Sequence, residues 1–346
     1  MKARLVRQIA AGGPIPFDEF MREALYGDGG FFASAELRST KSGHFLTSPE
    51  VSVLFGETLA VYVGAERDRV GADFGLVEVA GGSGSLLAPL LSALPVPARA
   101  VEASPAARAA LETIVGADAV FSSLEDLQTP MAGVILANEL LDNLPMAIAQ
   151  LTEAGWRERW VGADDDDLCF VDAPVRPEVG DWLARFAGPV EVGGWVEVQI
   201  EAAGWVRRAV RMLDRGSVVL IDYGDVAENL APRRRDGTLR TYRSHHLGPH
   251  PLDEPGATDI TADVNFTAMA AAAEEAGASV EIHRQDDFLG AWGLRGRISD
   301  MRRTELELAR AGDDMQRLAV RTRRAEAETL VHPRGLGDFR VLVARK

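Results

Sequence analysis

The 346-residue chain is long enough to bury a large core without stapling, and its single cysteine, Cys169, excludes both a disulfide framework and a cysteine-rich zinc site. With 52 acidic residues against 37 basic ones, a formal charge of −15, the surface repels nucleic-acid phosphates and anionic lipid headgroups, so neither is expected as a partner. No apolar run approaches the roughly 20 residues that span a bilayer, and the expectation is a soluble, cytoplasmic protein that does not engage the membrane.

Residues 1–11 carry Lys2, Arg4 and Arg7 but then meet Gly12, Gly13, Pro14 and Pro16 with no long apolar stretch, which predicts a short helix and not a leader. Helical spacing of apolar residues continues over 17–25 and 51–62, and Ser48-Pro49-Glu50 reads as a cap with proline in the first turn. The first 65 residues are therefore read as a helical preface. Short apolar runs at 75–80, 98–103, 119–121, 133–137 and 217–221 follow, with Ala- and Leu-rich stretches at 85–94 and 105–115 between them. This β-α-β-α order predicts a parallel sheet covered by helices on both faces.

The alternation breaks at Met146. Residues 147–151, 156–161 and 168–171 predict an antiparallel meander, and the acidic run 164–167 reads as a solvated turn because EF-hand spacing is missing. A helical pattern over 196–213 leads back to the core. Further on, a helix is predicted over 263–275, a strand over 279–283, charged helices over 297–327 and a last strand over 339–344. The division is thus a preface (1–65), a core (66–145 and 214–346) and an inserted antiparallel and helical subdomain (146–213).

The sharpest local signal is Leu76-Val77-Glu78-Val79-Ala80-Gly81-Gly82-Ser83-Gly84-Ser85-Leu86: a buried strand, a glycine turn and the start of a helix. Glycines at 82 and 84 let a ligand lie against bare backbone. Twenty residues on, Glu102 ends the second strand, where a carboxylate can accept from both hydroxyls of a ribose. Taken alone, the turn is also explained by a tight connection that needs positive φ; with Glu102 in register the adenosine reading is favoured. The third glycine of the dinucleotide fingerprint is missing, since Ser85, Leu86 and Leu87 follow Gly84, and a cofactor without phosphates does not need it. That departure points to S-adenosylmethionine (SAM).

Blocks along nearly the whole chain resemble one family. They include Gly13-Pro14-Ile15-Pro16-Phe17, Gly43-His44-Phe45-Leu46-Thr47-Ser48-Pro49-Glu50, the glycine turn, Ala137-Asn138-Glu139-Leu140-Leu141-Asp142-Asn143-Leu144-Pro145 and Ile221-Asp222-Tyr223-Gly224. Gly237-Thr238-Leu239-Arg240-Thr241-Tyr242, Asp259-Ile260-Thr261, Gln285 with Phe288-Leu289, and Gly335-Leu336-Gly337-Asp338-Phe339 continue the order. The chain resembles the MidA-like SAM-dependent methyltransferases, relatives of the mitochondrial arginine methyltransferase that assists respiratory complex I assembly. The resemblance implies an α/β fold with a Rossmann-like class I methyltransferase sheet. It implies SAM as cofactor, with Gly81, Gly82 and Gly84 facing its methionine part, Glu102 the ribose, Ser123 and Leu124 the adenine, Asn138 alongside, and Thr47 and Ser48 closing over it. Capping of the helix that starts near Pro49 explains Thr47 and Ser48 about as well. The family usually has glycine at Ala80, tyrosines at Phe31 and Phe32, aspartate at His44, histidine at Asp263 and aspartate at Asn265, so substrate identity is less determined than the cofactor.

Asn138-Glu139-x-x-Asp142 supplies two carboxylates at the crevice end of the sheet, suited to orienting and deprotonating an acceptor such as a guanidinium. Glu139 and Asp142 are the expected catalytic pair; an asparagine cap followed by two solvated acids is the plainer alternative. Asp222 and Tyr223 read more readily as a strand end than as a substrate contact. His245, His246 and His250 lack zinc spacing, so no metal is expected. The leading function is methylation of a protein arginine. A small-molecule acceptor and a non-catalytic SAM-binding assembly factor are the alternatives, and the oligomeric state is left open, a homodimer included.

Overall fold

The computed structural model describes residues 1–33, 47–127, 130–233, 235–243 and 246–346. Its centre is a seven-stranded sheet. In chain order the strands are Phe74–Val79, Ala98–Val101, Val120–Phe121, Met131–Asn138, Leu213–Asp222, Ser279–Arg284 and Arg340–Arg345. Numbered one to seven, they lie side by side as 3-2-1-4-5-7-6. The first five are mutually parallel, and the seventh is antiparallel to both its neighbours. The order reverses between strands one and four, and such a switch point opens a crevice at the carboxyl ends of the strands.

Alternation along the strands explains the layers. Val77, Val79 and Ile135 point to one face and pack with Trp182, Val206 and Met269 from the helices Pro177–Phe186, Ile200–Met212 and Phe266–Glu275. Leu76, Val134 and Leu136 point to the other face, against the helices Leu54–Val70, Leu87–Ala93 and Gln285–Ala291. The near-continuous apolar character of these strands is what burial on both faces demands.

A second, antiparallel sheet of five strands combines Ala147–Thr152, Gly155–Asp164, Asp167–Ala173 and Trp195–Val198 with the short strand Ile15–Pro16. The predicted meander is present, with the acidic run 164–167 as its exposed turn. The helices Lys2–Gly12 and Phe17–Tyr26 bury Leu5, Phe17, Phe20 and Met21 against Ile148 and Val161 of this sheet and Met146 just before it. The N-terminal segment thus contributes a strand as well as helices, because Ile15 and Pro16 pair with Val161 and Trp160.

Three element boundaries differ from expectation. The helix expected over 196–213 is a strand, Trp195–Val198, then the helix Ile200–Met212, because residues 195–198 pair with Ala147–Gln150. The helix expected from 263 starts at Phe266, since Val264 and Asn265 pair with Gly224 and Asp225. The helical run expected over 51–62 is divided between Ser48–Val51 and Leu54–Val70, with Ser52 in extended backbone.

Candidate functional site

The carboxyl ends of the central strands open into a cavity of about 970 Å³. Ala80, Glu102 and Glu139 are the residues that leave strands one, two and four. Each is still tied to a neighbouring strand, with its N–H donating to the carbonyl of Val101 (2.8 Å), Phe121 (3.0 Å) and Ile221 (2.8 Å) respectively. Pairing that persists into the loops fixes where these side chains start.

Of the residues expected at the cofactor, Thr47, Gly82, Glu102, Ser123 and Leu124 line the cavity. Gly82 donates its N–H to Glu102 Oε2 at 3.1 Å, and Ser104 donates to Oε1 at 2.8 Å. Burial pushes the Glu102 carboxyl above its ordinary range, and the backbone donors oppose that rise. Beneath the turn, Glu78 is buried with no partner for Oε2 among the described residues, and burial, then the neighbouring Glu102, pushes its pKa up to about 8.

The other glycines have packing reasons of their own. A Cβ on Gly81 would stand 2.8 Å from Glu78 Oε2, and one on Gly84, whose φ is +78°, would stand 2.2 Å from Ile114 Cδ1. Neither lines the cavity; they let the turn close onto strand one and the helix Pro105–Val115. Ala80 keeps a φ of +57° where the family usually has glycine, a strained setting for a residue with a Cβ.

Thr47 precedes the helix Ser48–Val51, and its N–H donates to Glu50 Oε2 at 3.2 Å, so capping and cavity lining coexist at this residue. Ser48 is fully buried, and Gln285 Nε2 donates to its hydroxyl at 3.2 Å. Asn138 does not line the cavity; its Nδ2 donates to Glu139 Oε1 at 3.1 Å. Ser123 caps a short 3-10 turn through the N–H of Glu125 at 3.1 Å.

Glu139 and Asp142 both line the cavity. The Glu139 backbone has φ +52°, a conformation costly for a non-glycine residue. Burial first, then Asp142, pushes its pKa up to about 8, against the hydrogen bond from Asn138. Asp142 is buried. Its Oδ2 accepts from Thr261 Oγ1 at 2.7 Å and from the Tyr223 hydroxyl, while Oδ1 has no partner among the described residues. Burial raises its pKa, opposed by those two hydroxyls and by Arg240.

Two more carboxylates stand behind this pair. Asp222 accepts the N–H groups of Leu141 (3.0 Å), Asp142 (3.3 Å) and Tyr223 (3.0 Å), which fixes the 139–142 turn onto strand five. Asp259 accepts from Asn143 Nδ2 at 2.8 Å. Burial and the nearby Asp142 hold both well above the usual carboxylate range. The counter-charge is Arg240, which lies over the Tyr223 ring at 5.3 Å and pairs at 2.5 Å with Asp263, to which Arg233 also binds at 3.2 Å.

Sequence reasoning did not assign Tyr223, Arg240, Asp259 or Thr261 to the site. All four stand in recognisable blocks, which is the available signal, yet Tyr223 and Thr261 bond to Asp142 across 81 and 119 positions, a pairing that no local pattern reveals. Among the divergent positions, Phe32 and Asp263 line the cavity, whereas Phe31 is buried beside Phe32 with ring centroids 5.1 Å apart. Asn265 caps the helix Phe266–Glu275 and donates to the Phe186 carbonyl at 2.9 Å, which gives it a structural reason. His44 and His245 lie outside the described residues. His246 and His250 are exposed, and among the described residues no His, Cys, Asp or Glu cluster is arranged to hold a metal.

Residues 58–284 match a family model described as "Putative S-adenosyl-L-methionine-dependent methyltransferase". The protein arginine methyltransferase NDUFAF7 of Mus musculus is 30% identical over 340 residues, covering 86% of this chain and 75% of that protein. Its counterpart from Xenopus tropicalis is 29% identical over 336 residues, covering 85% and 75%. A crystallised superfamily member from Burkholderia thailandensis, bound to S-adenosylhomocysteine, superposes with a TM-score of 0.87 at 29% identity, covering 100% of this chain and 91% of that one. The fold is that of a class I methyltransferase, the cofactor is SAM, and the chain belongs to the MidA-like family of SAM-dependent methyltransferases.

Proposed function

We propose that the chain methylates arginine side chains of proteins. The observation that carries this reading is Asp142: a buried carboxylate in the cavity wall with one oxygen held by two hydroxyls and the other without a partner among the described residues. Buried acceptors are seldom left unmatched, and a carboxylate among three others calls for a cation with several N–H donors. A guanidinium has five donors and a permanent charge, and it pairs with carboxylates in a planar fork. The net negative surface favours encounter with a basic target, and the relatives described above are named protein arginine methyltransferases.

The turn and its neighbours fit the cofactor. Positive φ at Ala80, Gly82 and Gly84 brings main chain, not side chains, to the end of strand one. Glu102, already oriented by two backbone donors, keeps lone pairs for the ribose hydroxyls. Leu124, Val101 and Ala107 offer an apolar wall for the adenine ring. In this reading Thr47 covers the cofactor, while Ser48, Asn138, Gly81 and Gly84 shape its surroundings.

When bound, the cofactor supplies an electrophilic sulfonium methyl group. Asp142 and Glu139 do the rest by accepting hydrogen bonds from the guanidinium, so that one nitrogen is held in line and water is kept away. N-methylation of a guanidinium releases one proton. Burial pushes the Glu139 carboxyl up to about 8, and a guanidinium bound beside it favours the ionised form, which can then receive that proton. The test is to incubate the purified protein with methyl-labelled SAM and an arginine-bearing protein fraction, hydrolyse the protein and identify labelled methylarginine. Label recovered only in low-molecular-weight compounds overturns the reading in favour of a small-molecule acceptor.

A further inference from the structure

Three oxygens from three distant segments meet at one point: Asp142 Oδ2, the Tyr223 hydroxyl and Thr261 Oγ1, each within hydrogen-bond reach of the other two. Two of the three are hydroxyls with one proton each. Both protons are used if both hydroxyls donate to an ionised Asp142, which leaves Asp142 Oδ1 without a partner among the described residues. Tyr223 is itself held rigidly. Its N–H donates to Asp222 Oδ1 at 3.0 Å, its ring is edge-on to Phe339 at 5.5 Å, and Arg240 covers one ring face.

We propose that Tyr223, assisted by Thr261, is a positioning residue of this enzyme: its hydroxyl pins one oxygen of Asp142, keeps that carboxylate ionised and leaves the other oxygen to the acceptor. The setting otherwise works against ionisation. Glu139 from the same turn, Asp222 from the end of strand five and Asp259 from the strand Asp259–Thr261 all stand around Asp142. Tyr26, from the helix Phe17–Tyr26, is raised well above its ordinary value by burial first and then by the charges of Asp259 and Asp142, and Arg240 is the cation on the opposing side. Among so many acids, a carboxylate without hydroxyl donors takes up a proton and then can no longer accept two N–H groups from a cation. The phenol thus acts through Asp142 and needs no contact with the cofactor.

The inference rests on Asp142 as the acceptor-facing carboxylate, and the test reads that carboxylate directly, so it does not depend on which acceptor is methylated. Infrared titration of protein labelled with ¹³C at the aspartate carboxyls follows protonation, and Asp142→Asn identifies the signal. In Tyr223→Phe that signal is expected to titrate about one pH unit higher than in wild type, the size expected for losing one hydrogen bond to a charged acceptor. Affinity for S-adenosylhomocysteine, measured by calorimetry, should stay within about twofold and serves as the check of folding. Should Tyr223→Phe fold poorly, Thr261→Val is expected to give a shift in the same direction. An unchanged titration midpoint in the folded variants, or an Asp142 that stays protonated throughout in wild type, overturns the proposal.

Discussion

Gly82 donates its backbone N–H to the Glu102 carboxylate at 3.1 Å, across the gap between the ends of strands one and two. The contact couples the glycine turn to the acid that is proposed to hold the ribose. Glu102→Ala removes that coupling along with the acceptor for two hydroxyls. Charge-assisted hydrogen bonds contribute about 1.5–3 kcal/mol each, so losing even one of the two should lower affinity for S-adenosylhomocysteine by about tenfold to a hundredfold. Calorimetry on wild type and variant measures this; an unchanged Kd removes Glu102 from the cofactor site.

Gly84→Ala should cost stability before it costs chemistry. Its φ of +78° penalises any Cβ, and the added atom meets Ile114 Cδ1 at 2.2 Å. The expected loss is about 1–3 kcal/mol, read as a lower midpoint in urea unfolding. Adding Ile114→Ala should relieve the clash but not the backbone term, so the double variant should still carry the φ penalty. A Gly84→Ala variant as stable as wild type contradicts the packing role assigned to this glycine.

Ala80 gives a prediction of opposite sign. With φ at +57° it carries strain that glycine lacks, and relief should exceed the entropy that glycine adds to the unfolded chain. Ala80→Gly is expected to raise stability by roughly 0.5–1 kcal/mol, seen as a small rise in Tm. A fall in Tm contradicts the reading of Ala80 as strained.

Glu78 makes stability depend on pH. Its pKa is about 8 in the folded protein against 4.5 for the free side chain, so between those values the folded state holds a proton that the unfolded state has lost. Stability from this group is therefore intact below about pH 4.5 and declines as pH rises towards 8. Glu78→Gln, which carries no charge, should be more stable than wild type at pH 9, by an amount on the order of a few kcal/mol, and the advantage should vanish near pH 4.5. Urea unfolding at several pH values decides it; an advantage that is the same at every pH would exclude titration of Glu78 as the cause.

What was legible in the sequence is what local pattern determines. The strand Phe74–Val79, its glycine turn and Glu102 could be found because strand period, turn residues and the twenty-residue spacing all lie within one βαβ unit. Residues 196–198 fit the helical pattern of 196–213, and only their pairing with Ala147–Ala149, some fifty residues away, makes them a strand. The same holds at the site. Glu139 and Asp142 share a turn and could be named together, whereas Thr261 reaches Asp142 across 119 positions and Tyr223 across 81. Tyr223 looked like a strand end, which in backbone terms it is; its side chain is what the pattern could not place.

The most direct test of the account pairs one variant with two readouts. Purified wild type and Asp142→Asn are each titrated with S-adenosylhomocysteine and then assayed with labelled SAM for methylarginine in a protein acceptor. Both proteins should bind the cofactor product with similar affinity, wild type should form methylarginine, and Asp142→Asn should form it about ten- to a hundredfold more slowly, as loss of a charged hydrogen-bond acceptor from the reacting site implies. Methylarginine formed at equal rates by the two proteins, or none formed by wild type, would contradict it.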